Sequence, residues 1–370
     1  MDSLTILFYT LTILGTGTAT YLLSTGRPHP QPPRAKLHGA GNCKYILDNS
    51  HSRTFKLPDG RTLGYAEYGD PNGKAILYQH GIPGSRIEAT RYHELGLELG
   101  IRVISIDRPG YGWSTRFPRY RDRTVKSWGE DVEALVEHLE LEEYAILGVS
   151  GGGPYALSCA LHLPRTRLKA LSLICGIGPP GISMRNAAWP TYIGFTIGWR
   201  WSPQFLLRWF FSRDAALSLH LSDDDRVRAL LDPRRLEGTQ GKDRAFFADE
   251  DEMRVYVATS REGFGQGFDG MCKDGFVMCT DWGFRVEDIG KDVPVVMWYG
   301  TEDVNVPPHH GRTIAARLAG EGEVVSEVTD NGPLQWSERV RLRMLDDTHA
   351  SISMRDKRGY LVDILEAWGQ

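Results

Sequence analysis

Short apolar runs alternate with longer amphipathic stretches along most of this chain. Residues 53–57 and 62–68 flank Pro58-Asp59-Gly60 and alternate in polarity, which predicts an opening hairpin. Strand-like, mainly apolar runs follow at 75–79, 103–106, 144–147, 171–175, 295–299 and 340–345. Runs of that length and composition predict strands buried on both faces. Helical patterns near 91–99, 124–139, 155–163 and 309–318 lie between them. A hairpin followed by strand–helix alternation predicts an α/β fold with a mostly parallel sheet covered on both sides by helices. No internal repeat is visible.

One gap breaks the alternation. The stretch between the runs ending at 175 and beginning at 295 is far too long for a plain crossover. Residues 179–289 are therefore read as a helical lid inserted into a core made of 53–178 and 290–370. The early insertion is dense in aromatics: Trp189, Tyr192, Phe195, Trp199, Trp201, Phe205, Trp209, Phe210 and Phe211. Most are expected to pack the lid against the main domain. The rest are expected to line an apolar substrate pocket or touch a membrane surface.

The first 26 residues differ from everything after them. Residues 3–26 carry no charge, and 4–23 as a helix would span about 30 Å. A proline-containing linker, 27–52, comes next. A cleaved signal peptide, the competing reading, normally starts with Lys or Arg, whereas the early charged residue here is Asp2. A buried core helix would not be followed by Arg27-Pro28-His29-Pro30. The segment reads as a single-pass transmembrane anchor. Arg27, Arg34 and Lys36 on its far flank place the catalytic domain in the cytosol, with the endoplasmic reticulum as the expected membrane.

Composition adds exclusions. A net charge of −4 offers no polybasic field, so nucleic acid is not an expected partner. Cys43, Cys159, Cys175, Cys272 and Cys279 form no CxxC pair, so neither a disulfide framework nor a zinc site is indicated. Cys159 and Cys175 read as buried core thiols. Nothing in the chain sets its oligomeric state.

Chemistry enters at Gly148-Val149-Ser150-Gly151-Gly152, between a strand and a helix. Glycines around a serine at such a junction allow a turn too tight for Cβ atoms, leaving the hydroxyl exposed above the sheet. By itself the pattern is weak, because a serine needs a base and the base needs a carboxylate. Asp303, in the loop leaving 295–299, is the natural acid, with the adjacent Glu302 as its rival. His349, in the loop after 340–345, is the candidate base. An oxyanion needs two backbone N–H donors. Gly151 supplies one, and Ile82 in His80-Gly81-Ile82-Pro83-Gly84 the other, since Pro83 has no N–H. His80 is expected to prop this loop rather than react.

Taken together, His80-Gly81-Ile82-Pro83-Gly84-Ser85, Asp107-Arg108-Pro109-Gly110-Tyr111-Gly112-Trp113-Ser114 and Gly148 through Pro154 resemble the α/β-hydrolase superfamily, over about residues 54–180 and 290–368. The resemblance implies the α/β-hydrolase fold and makes the Asp107 loop a structural feature of its rim. The epoxide-hydrolase and haloalkane-dehalogenase branches place Asp where this chain has Ser150. Residues 323–339 depart from the pattern, being longer and more polar than a short link before the final strand. They would either displace the His349 loop or bulge outward. The expected activity is that of a carboxylesterase- or lipase-like serine hydrolase. It would cleave an ester, thioester, lactone or amide of a small hydrophobic substrate, such as a lipid or secondary metabolite, through an acyl-enzyme and with no cofactor or metal. A non-hydrolytic enzyme of the same fold (acyltransferase, cyclase or lyase) and a catalytically silent ligand-binding protein are the alternatives.

Overall fold

A computed structural model describes residues 43–119, 122–237, 239, 241–320, 326–328 and 339–369. Among the described residues nine strands form one sheet in the order β1-β2-β4-β3-β5-β6-β7-β9-β8. They are β1 (Ser52–Lys56), β2 (Thr62–Gly69), β3 (Lys74–Gln79), β4 (Ile101–Ile106), β5 (Tyr144–Val149), β6 (Leu168–Ile174), β7 (Val295–Gly300), β8 (Ser326–Val328) and β9 (Val340–Leu345). The hairpin pair β1–β2 and the pair β2–β4 are antiparallel. All the other pairings are parallel.

The helices used below are α1 (His93–Leu99), α2 (Trp128–His138), α3 (Gly153–His162), α4 (Gln204–Phe211), α5 (Glu250–Gly263), α6 (Asp269–Met278), α7 (His309–Ala319), α8 (His349–Met354) and α9 (Lys357–Trp368). The central strands β5, β7 and β9 are buried at every position. Their side chains alternate between two apolar layers, as the pleat requires. Ile146, Leu173 and Met297 meet α2, α3 and α7 on one face. Leu147, Ile174 and Trp298 meet Tyr360, Leu361 and Ile364 of α9 on the other.

Every strand expected from the apolar runs is present. The strand β8 was not expected. Ser326-Glu327-Val328 has no apolar run, and it forms because the free edge of β9 can accept a parallel partner. Most of the polar stretch 323–339 lies outside the described residues, but the His349 loop itself keeps its place beside the Asp303 loop. The Thr301 N–H reaches Leu345 O at 2.8 Å and the Glu302 N–H reaches Asp347 O at 3.0 Å, tying the two loops together.

Between β6 and β7 the described residues form helices and turns but no strand. The first is a helical run over 189–201, with a π-helical turn at Gly194–Gly198 inside it. The expectation that its aromatics mostly pack inward is corrected. Trp189, Tyr192, Trp201, Phe205, Trp209 and Phe210 are exposed, and only Phe195, Trp199 and Phe211 pack inward. Helices apolar on every side can lay only one side on a globular core.

Residues 43–51 pack as well. Leu47 joins Ile87, Val255 and Ala258, and the Tyr45 hydroxyl donates to Glu252 at 2.6 Å. Among the described residues no helix is long and apolar enough to cross a membrane. The expected anchor at 4–23 and the proline-rich start of the linker lie outside the described residues.

Candidate active site

Strand β5 ends at Val149 and a single 3₁₀ turn, Ser150–Gly152, feeds α3. Ser150 sits there with φ +53°, in the left-handed region that side chains avoid. The turn is tight for a visible reason. A Cβ on Gly148 would lie 2.6 Å from Ala156 Cβ, and one on Gly152 would run into the carbonyl oxygens of Gln79 and His80. Non-reactive residues thus pin the strained backbone that exposes the hydroxyl.

Ser150 Oγ lies 2.9 Å from His349 Nε2, and His349 Nδ1 lies 2.7 Å from Asp303 Oδ2. The other oxygen of Asp303 accepts the N–H groups of Asn305 at 2.8 Å and Val306 at 2.7 Å. The carboxylate is only 2% exposed, so these bonds fix its plane and leave one oxygen for the imidazole. Each of the three side chains follows its own strand, β5, β7 and β9. Glu302, the sequence rival of Asp303, is exposed and accepts from Lys242 at 3.1 Å, away from the imidazole.

Burial drags the His349 pKa down, but the Asp303 carboxylate against the ring outweighs it and holds the imidazole well above its ordinary value. Beside the pair sits Cys175, fully buried at the end of β6 with φ +41°. Its sulfur, an Asp303 oxygen and a His349 nitrogen all lie within 4.8 Å of one another. Burial pushes the thiol pKa up, so Cys175 stays neutral beside the imidazole. A cysteine, a carboxylate and an imidazole are metal-ligand types, yet the 2.7 Å contact between Asp303 and His349 is too short for a shared ion. Tetrahedral zinc holds two such ligand atoms about 3.3 Å apart.

Ile82 and Gly151 meet on the other side of Ser150. A Cβ on Gly151 would lie 3.2 Å from Ile82 N, so the two amides are neighbours. Gly151 opens a helix, where the first N–H groups have no partner in the helix. The Ile82 N–H has no acceptor among the described residues. Two unengaged amides next to a serine hydroxyl are suited to a developing oxyanion. A cavity of about 240 Å³ opens here, lined by Ile82, Ile177, Thr191, Phe195, Asn305 and Val306 around Ser150, Gly151 and His349.

The loop carrying Ile82 is held from below. His80 is fully buried, its Nδ1 lies 2.9 Å from Gly81 O, and its pKa is far below the ordinary value because of burial and then the Arg108 charge. A neutral ring in that position supports the loop. Arg108 donates to His80 O at 2.6 Å and to Gly81 O at 2.9 Å, while its Nε pairs with Asp274 of α6 at 2.6 Å. Asp274 also takes Arg123 and the Tyr155 hydroxyl. The insertion thus reaches beneath the oxyanion loop. It also grips the other two loops. Lys242 pairs with Glu302 and with Asp346 at 2.6 Å, and Asp243 accepts from Thr348 and from the Ser351 N–H at 3.0 Å. Sequence reading missed Cys175, Arg108, Asp274, Lys242 and Asp243 as neighbours of the site, because no local pattern marks partners so distant along the chain. Asp107, read as structural, is buried and accepts Arg86 N–H, the Arg86 guanidinium and Trp113 N–H.

This architecture mounts a serine, a carboxylate and an imidazole at the exits of three parallel strands of one sheet, β5, β7 and β9. Residues 74–331 match the alpha/beta hydrolase fold family, and the chain belongs to it. An uncharacterized hydrolase of Bacillus subtilis, YugF, is 24% identical over 77% of this chain and 92% of its own length. The proline iminopeptidase of Arabidopsis thaliana is 30% identical, over 30% of each chain. The chain spans only about a third of the length of the proline iminopeptidases it matches. Among solved structures, an esterase from Exiguobacterium antarcticum superposes with a TM-score of 0.53 at 16% identity, covering 86% of this chain and 99% of that one. At such identity the likeness is one of fold.

Proposed function

We propose that the protein is a serine hydrolase acting by acyl transfer on an ester, thioester, lactone or amide of a small hydrophobic substrate. The unbroken series from Ser150 Oγ through His349 to Asp303, opening onto an apolar cavity, carries the reading. Ser150 Oγ attacks the acyl carbon while its proton passes to His349 Nε2. The carbonyl oxygen, now charged, takes the Ile82 and Gly151 N–H groups. His349 returns the proton to the leaving oxygen, nitrogen or sulfur. Water, deprotonated by the same imidazole, then releases the acid and restores Ser150. Asp303 holds the imidazole tautomer that leaves Nε2 free to accept.

The cavity favours an ester or lactone over a peptide amino terminus. An aminopeptidase substrate presents an ammonium, and none of the described cavity-lining residues is a carboxylate. Its volume is below the 300–1,000 Å³ common for drug-sized ligands, which points to a small acyl group. The helices of 179–289 serve as the lid. Residues 4–23 serve as a single-pass anchor, with the catalytic domain on the cytosolic face of the endoplasmic reticulum; the absence of charge there supports this.

The test pairs a fluorophosphonate probe with a panel of p-nitrophenyl esters and prolyl anilides. Wild type should label and Ser150→Ala should not, with ester turnover highest for short acyl chains. Labelling that survives Ser150→Ala removes the mechanism, and preference for the prolyl anilides moves the substrate to peptides. Deleting the first 26 residues should free the protein from neutral phosphatidylcholine membranes with activity kept, and retention on those membranes would count against the anchor.

A further inference from the structure

The helical run over 189–201 is apolar on both sides, and only one side is covered. Inward, Phe195 lines the cavity and Trp199 stacks on Phe211 with ring centroids 4.9 Å apart. Outward, Trp189, Tyr192, Ile193, Ile197 and Trp201 recur at the three- and four-residue spacing of one helix face, with Trp189 75% and Trp201 70% exposed. Helix α4 repeats the arrangement with Phe205, Leu206, Trp209 and Phe210. Both α4 and the end of the 189–201 run rest on α6, so their outer faces turn away from it together. Nine of the ten large apolar side chains exposed among the described residues lie on this one surface. Contiguous apolar patches on a folded chain mark an interaction site.

Charge identifies the occupant. Residues 185–213 hold Arg185, Arg200, Arg208 and Arg213 and not one Asp or Glu, in a chain whose net charge is −4. Arg208 is engaged by Asp269. Arg200 and Arg213 instead lie over the rings of Trp201 and Trp209, at 5.2 and 4.2 Å. Tryptophan next to arginine along an exposed apolar helix is the composition that seats a helix in the headgroup layer of an anionic bilayer. A second copy of this chain docking through the same face would set these arginines against their own kind, which costs free energy.

We propose that the face formed by residues 189–213 docks on an anionic lipid bilayer, with Trp189, Trp201 and Trp209 entering the headgroup region. The helix that presents Trp189 and Tyr192 outward also turns Thr191 and Phe195 into the cavity. If the hydrolase reading holds, an apolar substrate dissolved in the bilayer reaches Ser150 along that helix without crossing water. Docking itself does not depend on that reading.

The full-length protein is mixed with phosphatidylcholine vesicles, with or without phosphatidylserine, that contain lipids brominated along the acyl chain. Tryptophan emission is then followed. Residues 1–26 contain no tryptophan, so quenching reports on the folded part and not on an anchor. The expected result is quenching that requires phosphatidylserine and falls sharply in Trp189→Phe/Trp201→Phe/Trp209→Phe. The docking equilibrium read from quenching should weaken about fivefold for each arginine removed in Arg200→Gln/Arg213→Gln, whether or not residues 1–26 already hold the protein on the vesicle. Fluorophosphonate labelling of Ser150 in these variants, equal to wild type, shows that they are folded and separates docking from catalysis. Equal quenching by neutral and anionic vesicles, or quenching unchanged in the tryptophan variant, would overturn the proposal. So would a dimer in sedimentation velocity that Arg200→Gln/Arg213→Gln tightens, because it assigns the face to a second copy.

Discussion

Replacing Asp303 with Asn changes one atom of a side chain that is 2% exposed and fully engaged. The retained oxygen can still accept the Asn305 and Val306 N–H groups, so the loop keeps its shape. The new NH₂ group then faces His349 Nδ1, where an acceptor stood at 2.7 Å. A donor there forces the proton onto Nε2, and a protonated Nε2 cannot receive the Ser150 proton. Loss of this tautomer costs about 10⁴-fold in turnover, or about 5.5 kcal/mol of transition-state stabilisation. The pH profile moves too. Burial lowers the His349 pKa, but the carboxylate outweighs it and raises the value well above 6.5. Activity in wild type should therefore rise with pH through an acid limb lying above pH 6.5. Without the carboxylate the largest raising effect is gone and burial opposes only the smaller upward pull of Cys175, so the residual limb of Asp303→Asn should move to lower pH. Stability runs the other way. A raised folded-state pKa makes the charged pair stabilising below the unfolded imidazole value, and that contribution is lost as pH climbs through the folded value. The assay is kcat/KM against pH for an ester substrate, with thermal unfolding over the same range. An acid limb that stays in place or moves upward in Asp303→Asn refutes the electrostatic argument, as does wild-type turnover. Glu302→Gln is the control and should change kcat by less than twofold, since Glu302 is exposed and bonded to Lys242.

Gly152→Ala places a methyl against the Gln79 and His80 carbonyl oxygens, and urea denaturation should show a loss of ~3 kcal/mol or more. Asp274→Ala strands the buried cations Arg108 and Arg123, costing about 3–5 kcal/mol by the same measurement. Because Arg108 holds the His80 and Gly81 carbonyls, Asp274→Ala should also lower kcat more than it raises KM, and an unchanged kcat would detach Asp274 from the oxyanion loop.

Ser150, Asp303 and His349 were legible as candidates because each lies in the turn or loop that leaves a strand, where local turn chemistry is written in nearby residues. Their spacing along the chain needed no guess about packing. The aromatic insertion was misjudged for the opposite reason. Tryptophans that pack inward and tryptophans that face solvent have the same neighbours in sequence, and only the placement of the 189–201 run and α4 on α6 separates them. Cys175 looked like any core thiol, since its apolar flanks say nothing about an imidazole that arrives from the last strand. Strand β8 escaped notice because its residues carry no apolar run and its pairing depends on an edge supplied by β9.

The sequence by itself determined the parallel sheet, the strained serine turn and the order of the serine, carboxylate and imidazole at its strand exits, because apolar periodicity and glycine sterics act over a few residues. Tertiary structure decided which carboxylate faces the imidazole, what braces the oxyanion loop and which aromatics remain uncovered. Those outcomes rest on contacts between residues such as Arg108 and Asp274, far apart in the chain and adjacent only once the sheet and the insertion have closed on each other.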